Sequence, residues 1–273
     1  FRALVKRQCL EGVDGILPLG TTAETPTLTE DEEDEIIKIV FEEVRAFEKS
    51  AGKKVTVIIG AGSNCTRDAV RYCKRAKKAG ADAALIVTPY YNKPSNEGIL
   101  RHFEEVSKVG IPIIAYNIQG RTGKNIETST LAKIASFPNV VGVKEASGNF
   151  SNAIKTLRLC PEIDMYSGND DQVVPLMSIG AKGVISVLSN VAPRQTHDMC
   201  QAALDGDFEK ARKMQIEALD VVENLFTEVN PIPVKAAMNL QGKNVGPLRL
   251  PLTQMEKAHE DALAKAMKEY GIL

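Results

Sequence analysis

Short apolar segments alternate with amphipathic helical segments along most of this chain. The alternation is typical of parallel strands joined by helical crossovers, and it constrains the fold more than any other feature. Thr29 and Glu32 form the pattern of a capping box. Gly80, Gly110 and Gly180 lie where helices are expected to end. Seven segments are predicted to be strands: residues 12–20, 54–60, 81–89, 111–117, 140–147, 163–168 and 183–189.

These elements predict an α/β fold, a (β/α)8 TIM barrel with a C-terminal helical appendage. Such a barrel needs eight strands, whereas the chain opens on a helical segment, residues 1–11, so we expect the first strand to be missing from this sequence. We predict two regions: residues 1–205, a (β/α)8 barrel lacking its first strand, and residues 206–273, a helical region. After the last strand, helices are predicted at residues 195–204, 208–227, 234–240 and 254–270.

Charges of both signs are spread along the chain. The 34 Lys and Arg residues and 35 Asp and Glu residues give a formal net charge of −1. The sequence therefore predicts no nucleic-acid partner and no attraction to an anionic membrane. No apolar run has the length of a membrane span and no secretory leader is visible, so we expect neither a transmembrane helix nor a signal peptide.

The five cysteines are scattered, odd in number and without a C-x-x-C pair. This distribution predicts a reduced, cytoplasmic protein that has neither disulfides nor a zinc site. The three histidines lie far apart in the sequence. No histidine-based metal site is therefore expected.

One lysine interrupts an apolar segment. Lys144 follows Val140, Val141 and Val143 in a predicted strand of the kind that is covered on both faces. Desolvation lowers the pKa of a lysine, and a lysine that can lose its proton is a nucleophile towards carbonyl groups. The other interpretation is a lysine paired with a carboxylate in the core. The residues at the ends of the other strands favour the chemical interpretation.

The active site of such a barrel forms at the carboxyl ends of its strands. The residues at these ends are hydroxyl-bearing, basic, small or apolar: Thr21, Thr22, Tyr90, Tyr91, Tyr116, Arg121, Gly168, Gly183 and Ile185. With Lys144 they predict imine chemistry on a carboxylated carbonyl compound, in which the lysine forms the imine, a tyrosine moves protons and donors hold the carboxylate. Taken singly, each could instead cap a helix, pack or join a surface ion pair.

Four segments carry a resemblance to a known family: Gly20–Glu24 (GTTAE), Pro89–Pro94 (PYYNKP), Tyr116–Gly123 (YNIQGRTG) and Val143–Gly148 (VKEASG). In order and spacing they resemble the signature segments of the dihydrodipicolinate synthase family, within the pyruvate-dependent aldolase superfamily of (β/α)8 barrels. The resemblance extends to Gly183–Val187 and Asn230–Asn239 and so covers essentially the whole chain. Members of the family begin with a strand ahead of the first helix, in agreement with the expected missing strand.

The resemblance implies catalytic roles for four residues. Lys144 matches the lysine that forms a Schiff base with pyruvate. Tyr116, Thr21 and Tyr91 match a proton-relay triad whose second tyrosine comes from the neighbouring subunit. The implied reaction condenses pyruvate with L-aspartate 4-semialdehyde to give 4-hydroxy-tetrahydrodipicolinate, the entry to diaminopimelate and lysine. No metal and no organic cofactor is implied.

Three further positions are implied by the resemblance to bind substrate, and a fourth is predicted from its place at a strand end. Thr22 matches the residue whose backbone amide helps to hold the pyruvate carboxylate, and Arg121 the residue that binds the carboxylate of the second substrate. Ile185 matches a carbonyl-bearing wall of the site. Gly168 is a small residue at a strand end, which leaves room for a ligand.

The chain departs from the family pattern at three places. Ala23 replaces a glycine, and if that position needs a positive φ the alanine costs about 1 kcal/mol. The pair Gln119–Gly120 replaces Pro-Ser ahead of Arg121, and Asn169 replaces an aspartate. None of these changes removes a catalytic group, so they concern the geometry of substrate binding and not the class of reaction.

Two alternatives stay open at this point. N-acetylneuraminate lyase and the 2-keto-3-deoxy-sugar-acid aldolases are sister enzymes that use the same lysine and tyrosine on other aldehydes, and Arg121 argues against both. The non-enzymatic alternative is a sensor barrel that binds a keto acid or lysine. The presence of Lys144, Tyr116, Thr21 and Tyr91 argues against the sensor.

The resemblance also implies a homotetramer and feedback inhibition by L-lysine. The positions that match a lysine site are Glu33, Asn64, Asp68 and Tyr90. Chemically, two carboxylates can meet the ammonium groups of the ligand, while the amide and the hydroxyl can donate to its carboxylate. The alternative is that Glu33 and Asp68 are first-turn acids that interact only with their helix dipoles.

Overall fold

Helices and strands alternate through the first two thirds of the chain in this computed structural model, which describes residues 1–273. Residues 1–55 form α1 (Arg2–Leu10), β1 (Gly15–Ile16) and α2 (Glu30–Ala51), with 3₁₀ turns at Thr21–Ala23 and Thr25–Thr27. Residues 56–185 form β2 (Thr56–Gly60), α3 (Thr66–Ala79), β3 (Ala83–Val87), α4 (Asn96–Ser107), β4 (Ile113–Asn117), α5 (Gln119–Thr122), α6 (Thr128–Ala135), β5 (Val140–Glu145), α7 (Phe150–Leu159), β6 (Asp164–Ser167), a 3₁₀ turn (Asp170–Gln172) and α8 (Val173–Met177). Residues 186–273 form a 3₁₀ turn (Leu188–Asn190), α9 (Pro193–Leu204), α10 (Phe208–Glu217), α11 (Leu219–Leu225), α12 (Ile232–Leu240) and α13 (Lys257–Glu269).

The chain divides into two compact units. The first combines residues 1–55 with residues 186–273, and the second contains residues 56–185. The first unit thus joins the N-terminal segment to the helical C-terminal region. A boundary between residues 205 and 206 stays a prediction.

Strands β2 to β6 of the second unit form one parallel sheet, in which each strand pairs with the next along the chain. The strands β3 and β4 are buried along almost their whole length, as expected of strands that are covered on both faces. Helices connect each strand to its neighbour. The predicted α/β class with parallel strands is therefore confirmed.

Two predicted strands are shorter than expected. The first is reduced to the two residues of β1, because Pro18 has no N–H to donate and Leu19 adopts a left-handed φ of 60°. In the segment 183–189 the structure forms a single bridge at Val184, where the φ of 148° at Gly183 departs from strand geometry. The prediction of full strands was wrong at these two places.

The predicted helix boundaries agree well with the structure. The Thr29 hydroxyl accepts a hydrogen bond from the Glu32 N–H while the Glu32 carboxylate accepts one from the Thr29 N–H, which confirms the capping box of α2. Gly80 ends α3 in the left-handed conformation. Gly110 and Gly180 also have positive φ values, but they lie just beyond the ends of α4 and α8.

Helices α11, α12 and α13 pack on one apolar core in the first unit. Its buried members include Val221, Leu225, Val234 and Leu263, and the burial of each such side chain contributes about 1.5–3 kcal/mol. Helices α9, α12 and α13 lie where the sequence predicts them. The predicted helix 208–227 is instead two helices, α10 and α11, which meet at Ala218.

Candidate active site

Lys144 and Tyr116 lie side by side near the carboxyl ends of β5 and β4. The register between these strands slips by one residue at Val141, so that Lys144, instead of Val143, lies opposite Tyr116. Paired residues of neighbouring strands point to the same face, and the Lys144 Nζ lies 4.4 Å from the centre of the Tyr116 ring. Val141 is 42% exposed, so the expectation that β5 is covered on both faces is wrong at this residue.

Gly168 leaves the space that the Lys144 side chain occupies. A Cβ atom at position 168 would lie 2.6 Å from the Cβ of Ala146 and 3.0 Å from the Cε of Lys144, closer than the optimal separation of non-bonded carbons. The Gly168 N–H donates to the Glu145 carbonyl at 2.7 Å, which fixes this stretch of backbone. The small residue thus makes room for the lysine, and its predicted contact with a ligand stays a prediction.

Burial changes the proton affinities of both side chains. Desolvation lowers the pKa of Lys144 to about 8, an effect that Asp170 opposes and Arg121 reinforces. Desolvation also raises the pKa of Tyr116 to about 12, against a smaller opposite effect of Arg121. At pH 7 about a tenth of Lys144 is therefore neutral, against roughly three in ten thousand for an ordinary lysine. Lys144 can act as a nucleophile while Tyr116 keeps its proton.

Arg121 and Ile185 lie at the same ends of the strands. Arg121 is on α5, which begins just after β4 ends. Its side chain is exposed, and its charge acts on both Lys144 and Tyr116. Ile185 donates its N–H to the Ser167 carbonyl at 2.9 Å, at the end of β6. The second unit therefore brings together Lys144, Tyr116 and Gly168, with Arg121 within electrostatic reach.

Thr21 and Thr22 belong to the first unit and occupy the 3₁₀ turn that follows β1. Thr21 is exposed and Thr22 is partly buried. The Thr22 hydroxyl accepts a hydrogen bond from the Nδ2 of Asn230 at 3.0 Å. The proton-relay role of Thr21 and the carboxylate-binding role of Thr22 stay predictions.

The departures from the family pattern leave the backbone regular. Ala23 does not adopt a positive φ; the left-handed residue of this turn is Glu24, with a φ of 55°. The cost considered for an alanine at this position therefore does not arise. The pair Gln119–Gly120 begins α5 without a positive φ, and Asn169 donates its backbone N–H to the Ser167 hydroxyl.

Tyr90 and Tyr91 project from the surface of the second unit. Tyr90 is 39% exposed and Tyr91 is 89% exposed. Tyr91 also has a φ of 69°, a conformation that costs a residue other than glycine about 1–2 kcal/mol. Strained residues of this kind cluster at functional sites, and the contact of Tyr91 with another subunit stays a prediction.

The predicted lysine-binding residues are distributed over both units. Glu33 is 8% exposed in the first turn of α2. Asn64 and Asp68 lie at the start of α3, where the Asp68 Oδ1 is 3.8 Å from the Arg67 Nε and 3.9 Å from the Arg71 Nε. Glu33 and Asp68 are both first-turn acids, as the helix-dipole interpretation requires, and the lysine-binding role stays a prediction.

Three buried polar residues close to Lys144 were not predicted. Asp170 is 2% exposed, and its carboxylate acts on the pKa of Lys144. Glu145 is 4% exposed and accepts hydrogen bonds from the Asn117 Nδ2 at 3.1 Å and the Ser147 N–H at 2.6 Å. Their positions in the sequence could have revealed Asn117 and Glu145. Each directly follows a predicted site residue in its strand, so its side chain points to the opposite face of the sheet. On that face their hydrogen bond links β4 to β5.

No three His, Cys, Asp or Glu side chains are grouped as a metal ion would require. The five cysteines are all free thiols. None of the helices combines the length and the apolar character of a membrane span.

A desolvated lysine beside a buried tyrosine, at the carboxyl ends of parallel strands, is chemically suited to forming a Schiff base. The resemblance seen in the sequence is borne out across the chain. The chain belongs to the dihydrodipicolinate synthetase family, whose model matches residues 1–270.

Relatives in sequence and structure agree with this family. The 4-hydroxy-tetrahydrodipicolinate synthase of Caldicellulosiruptor bescii is 50% identical over 260 residues, which are 95% of this chain and 86% of that protein. The crystal structure of lysine-bound dihydrodipicolinate synthase from Cyanidioschyzon merolae is 40% identical with a TM-score of 0.94, and the match covers 100% of this chain and 91% of that one. A monomeric dihydrodipicolinate synthase variant is 39% identical with a TM-score of 0.94, over 100% of this chain and 90% of that one.

The activity follows from the family. This chain is an enzyme that condenses pyruvate with L-aspartate 4-semialdehyde in diaminopimelate and lysine biosynthesis. N-acetylneuraminate lyase, the 2-keto-3-deoxy-sugar-acid aldolases and the sensor, which the sequence left open, are thereby set aside.

Proposed function

We propose that Lys144 carries this condensation by forming an imine with pyruvate. The observation that supports it most directly is the desolvated amine 4.4 Å from the Tyr116 ring. The neutral amine adds to the keto carbon, and loss of water gives the imine, which withdraws electrons so that the methyl group loses a proton to form an enamine. The enamine carbon attacks the aldehyde carbon of L-aspartate 4-semialdehyde. The amine of that substrate then displaces Lys144 by transimination, which closes the ring and frees the lysine.

Tyr116 supplies and recovers protons in this proposal. Because the pKa of Tyr116 is raised to about 12, its hydroxyl carries a proton at neutral pH and can donate it when water leaves the keto carbon. The resemblance extends the relay to Thr21 and Tyr91. The steps require no metal and no organic cofactor.

Reductive trapping tests the proposal. Pyruvate and borohydride should increase the intact mass of the protein by one reduced pyruvate adduct, and peptide mapping should place the adduct on Lys144. A correctly folded sample whose mass does not change, or an adduct on another lysine, contradicts the mechanism. A barrel that only bound keto acids without covalent chemistry would leave the mass unchanged.

We also propose that the parallel sheet is part of a (β/α)8 barrel and that the protein is cytoplasmic. The sequential order of the parallel strands and the helical crossovers between them support a (β/α)8 barrel in residues 1–205, followed by a helical region in residues 206–273. A cytoplasmic location is supported by the five free cysteines.

Arg121 is expected to select the second substrate. Its planar guanidinium can hold a carboxylate by two parallel hydrogen bonds, and a hydrogen bond to a charged group contributes about 1.5–3 kcal/mol. Arg121→Ala should therefore raise the KM for L-aspartate 4-semialdehyde by about ten- to a hundredfold and change the KM for pyruvate little. Arg121→Lys keeps the positive charge but cannot donate two parallel hydrogen bonds, so its KM for L-aspartate 4-semialdehyde should lie between those of the unsubstituted protein and Arg121→Ala. An equal change in both KM values, or faster cleavage of N-acetylneuraminate, contradicts this role.

Tyr91 is expected to act in the active site of a neighbouring subunit, within a homotetramer. Its 89% exposure and positive φ support a residue that contacts another molecule, and aromatic residues are common anchors at interfaces. Tyr91→Ala and Lys144→Ala should each be inactive alone, yet a mixture that exchanges subunits should regain activity, because some sites then combine an intact Lys144 with an intact Tyr91. Tyr72→Ala, at a partly exposed tyrosine of α3, should stay active. No regain on mixing, or an active monomer in sedimentation, would rule out the shared site.

Feedback inhibition by L-lysine is proposed through Glu33, Asn64, Asp68 and Tyr90. The lysine-bound relative supports it, and Glu33 places a carboxylate in the first turn of α2. Millimolar lysine should lower kcat, while Glu33→Gln, and the repulsive Glu33→Lys, should remove the inhibition without altering uninhibited turnover. Asp31→Asn removes an exposed acid from the same first turn of α2 and serves as the control. If calorimetry detects no lysine binding, the helix-dipole interpretation stands alone.

A further inference from the structure

We propose that Asn230 and Lys235, in the C-terminal helical region, are positioning residues for pyruvate. They hold the Thr21–Glu24 turn in the conformation that presents the Thr22 amide to the substrate carboxylate. The inference rests on the proposed role of Thr22. It extends that role by making the helical region a part of the substrate-binding apparatus.

The turn adopts a conformation that its own residues do not favour. Leu19 lies two residues before the turn and Glu24 is its last residue; their φ values are 60° and 55°, and residues other than glycine keep such values only when the surrounding structure holds them. Close to the turn, the Thr25 hydroxyl donates to the Gly20 carbonyl at 2.8 Å and the Ala23 N–H donates to the same carbonyl at 3.1 Å. These short-range bonds do not reach the Glu24 side chain.

Lys235 and the backbone of Arg249 bind the side chain of Glu24, the last residue of the turn. The Glu24 side chain is 9% exposed; its Oε1 accepts a hydrogen bond from the Lys235 Nζ, and its Oε2 accepts one from the Arg249 N–H at 2.8 Å. Burial, the largest single effect, would raise the pKa of Glu24, but the two bonds and the charges of Lys235 and Arg249 together outweigh it, so the pKa lies below its usual value. The Lys235 Nζ also donates to the Pro247 carbonyl at 2.6 Å. Glu24 is thus an ionised carboxylate with both oxygens bound by the C-terminal region.

Asn230 holds the middle of the turn. It is 6% exposed, and its Nδ2 donates to the Thr22 hydroxyl at 3.0 Å. Asn230 lies two residues before the start of α12, the helix that carries Lys235. This helix and the segment that leads into it therefore contact the turn at two points, and one of these points is the residue that is proposed to bind pyruvate.

If the hydrogen bonds of Asn230 and Lys235 were purely structural, they would stabilise the protein without changing the KM for one substrate more than for the other. A positioning role predicts a selective loss, because only the pyruvate carboxylate is assigned to Thr22. The KM values for the two substrates and the rate of adduct formation on Lys144 separate these possibilities.

The experiment compares Asn230→Ala and Lys235→Met with Gln241→Ala. Gln241 ends the same helix and donates to the Val191 and Ile272 carbonyls, away from the turn. We expect Asn230→Ala and Lys235→Met each to raise the KM for pyruvate about tenfold, to slow adduct formation at low pyruvate, and to leave the KM for L-aspartate 4-semialdehyde within about twofold. Lys235→Arg should recover much of the loss. Gln241→Ala should change neither KM.

Two outcomes overturn the inference. The first is a lower melting temperature with an unchanged KM for pyruvate, and the second is an equal rise in both KM values. If Lys235→Met does not fold because Glu24 is left buried and unpaired, Glu24→Gln with Lys235→Met removes both charges and should show the same selective rise. Failure of the proposed mechanism can be distinguished from failure of this inference, because without the mechanism even the unsubstituted protein would form no pyruvate adduct.

Discussion

Lys144→Ala is expected to abolish the pyruvate adduct and to lower kcat by about four orders of magnitude or more, because no other group in the site can form the imine. The fold should survive, since removal of the ammonium also removes the cost of desolvating it. Intact mass after trapping, steady-state kinetics and circular dichroism measure the three effects. Lys144→Met, which keeps a long side chain beside Tyr116, should behave in the same way.

Lys155→Ala is the matched control. Lys155 is an exposed lysine of α7, outside the site, and its loss should leave adduct formation and turnover unchanged. Residual adduct in Lys144→Ala that maps to any other lysine would mean that the wrong nucleophile has been identified.

The rate of adduct formation should depend on pH in a defined direction. Only neutral Lys144 reacts, and its pKa is lowered to about 8, so the rate should rise about tenfold per pH unit below pH 8 and level off above it. Asp170 raises this pKa and Arg121 lowers it. Asp170→Asn should therefore move the profile to lower pH, and Arg121→Ala should move it to higher pH. A profile with its midpoint near 10.5, the value of an ordinary lysine, would contradict the desolvation of Lys144.

Local patterns in the sequence were enough to predict most helices and strands. The capping box of Thr29 and Glu32 and the left-handed Gly80 depend on short-range chemistry, and both were located correctly. Lys144 stood out because an ammonium group in an apolar strand is costly. The match of four motifs in order and spacing then predicted the family.

Features that depend on pairing between distant segments could not be predicted from local patterns. The slip of register at Val141 decides that Lys144 meets Tyr116, yet nothing in the sequence of β5 alone reports it. The strain at Glu24 is compensated by residues more than two hundred positions away, and the buried Asp170 affects Lys144 only because β5 and β6 are neighbours.

Tyr116→Phe is the second substitution for which a large loss is expected. The phenylalanine ring keeps the packing against the Lys144 amine, which lies 4.4 Å from the ring centre in this structure, and removes only the hydroxyl. Loss of a positioned proton donor costs about 10²- to 10⁴-fold in rate. We therefore expect kcat to fall by at least about a hundredfold, the KM for pyruvate to change little, and the adduct on Lys144 still to form, but more slowly.

Tyr166→Phe separates a specific role of the Tyr116 hydroxyl from a general need for a tyrosine. Tyr166 lies opposite Lys144 on the other neighbouring strand, β6, and burial also raises the pKa of its hydroxyl. Its Cε2, however, is 3.5 Å from the position of a Cβ on Gly142, so the ring leans towards the start of the strands and away from their carboxyl ends. Tyr166→Phe should then keep most of the activity, because a proton donor must lie within hydrogen-bond reach of the reacting atoms. Single-turnover measurements on both variants decide the assignment, and a greater loss in Tyr166→Phe would transfer the role of proton donor from Tyr116 to Tyr166.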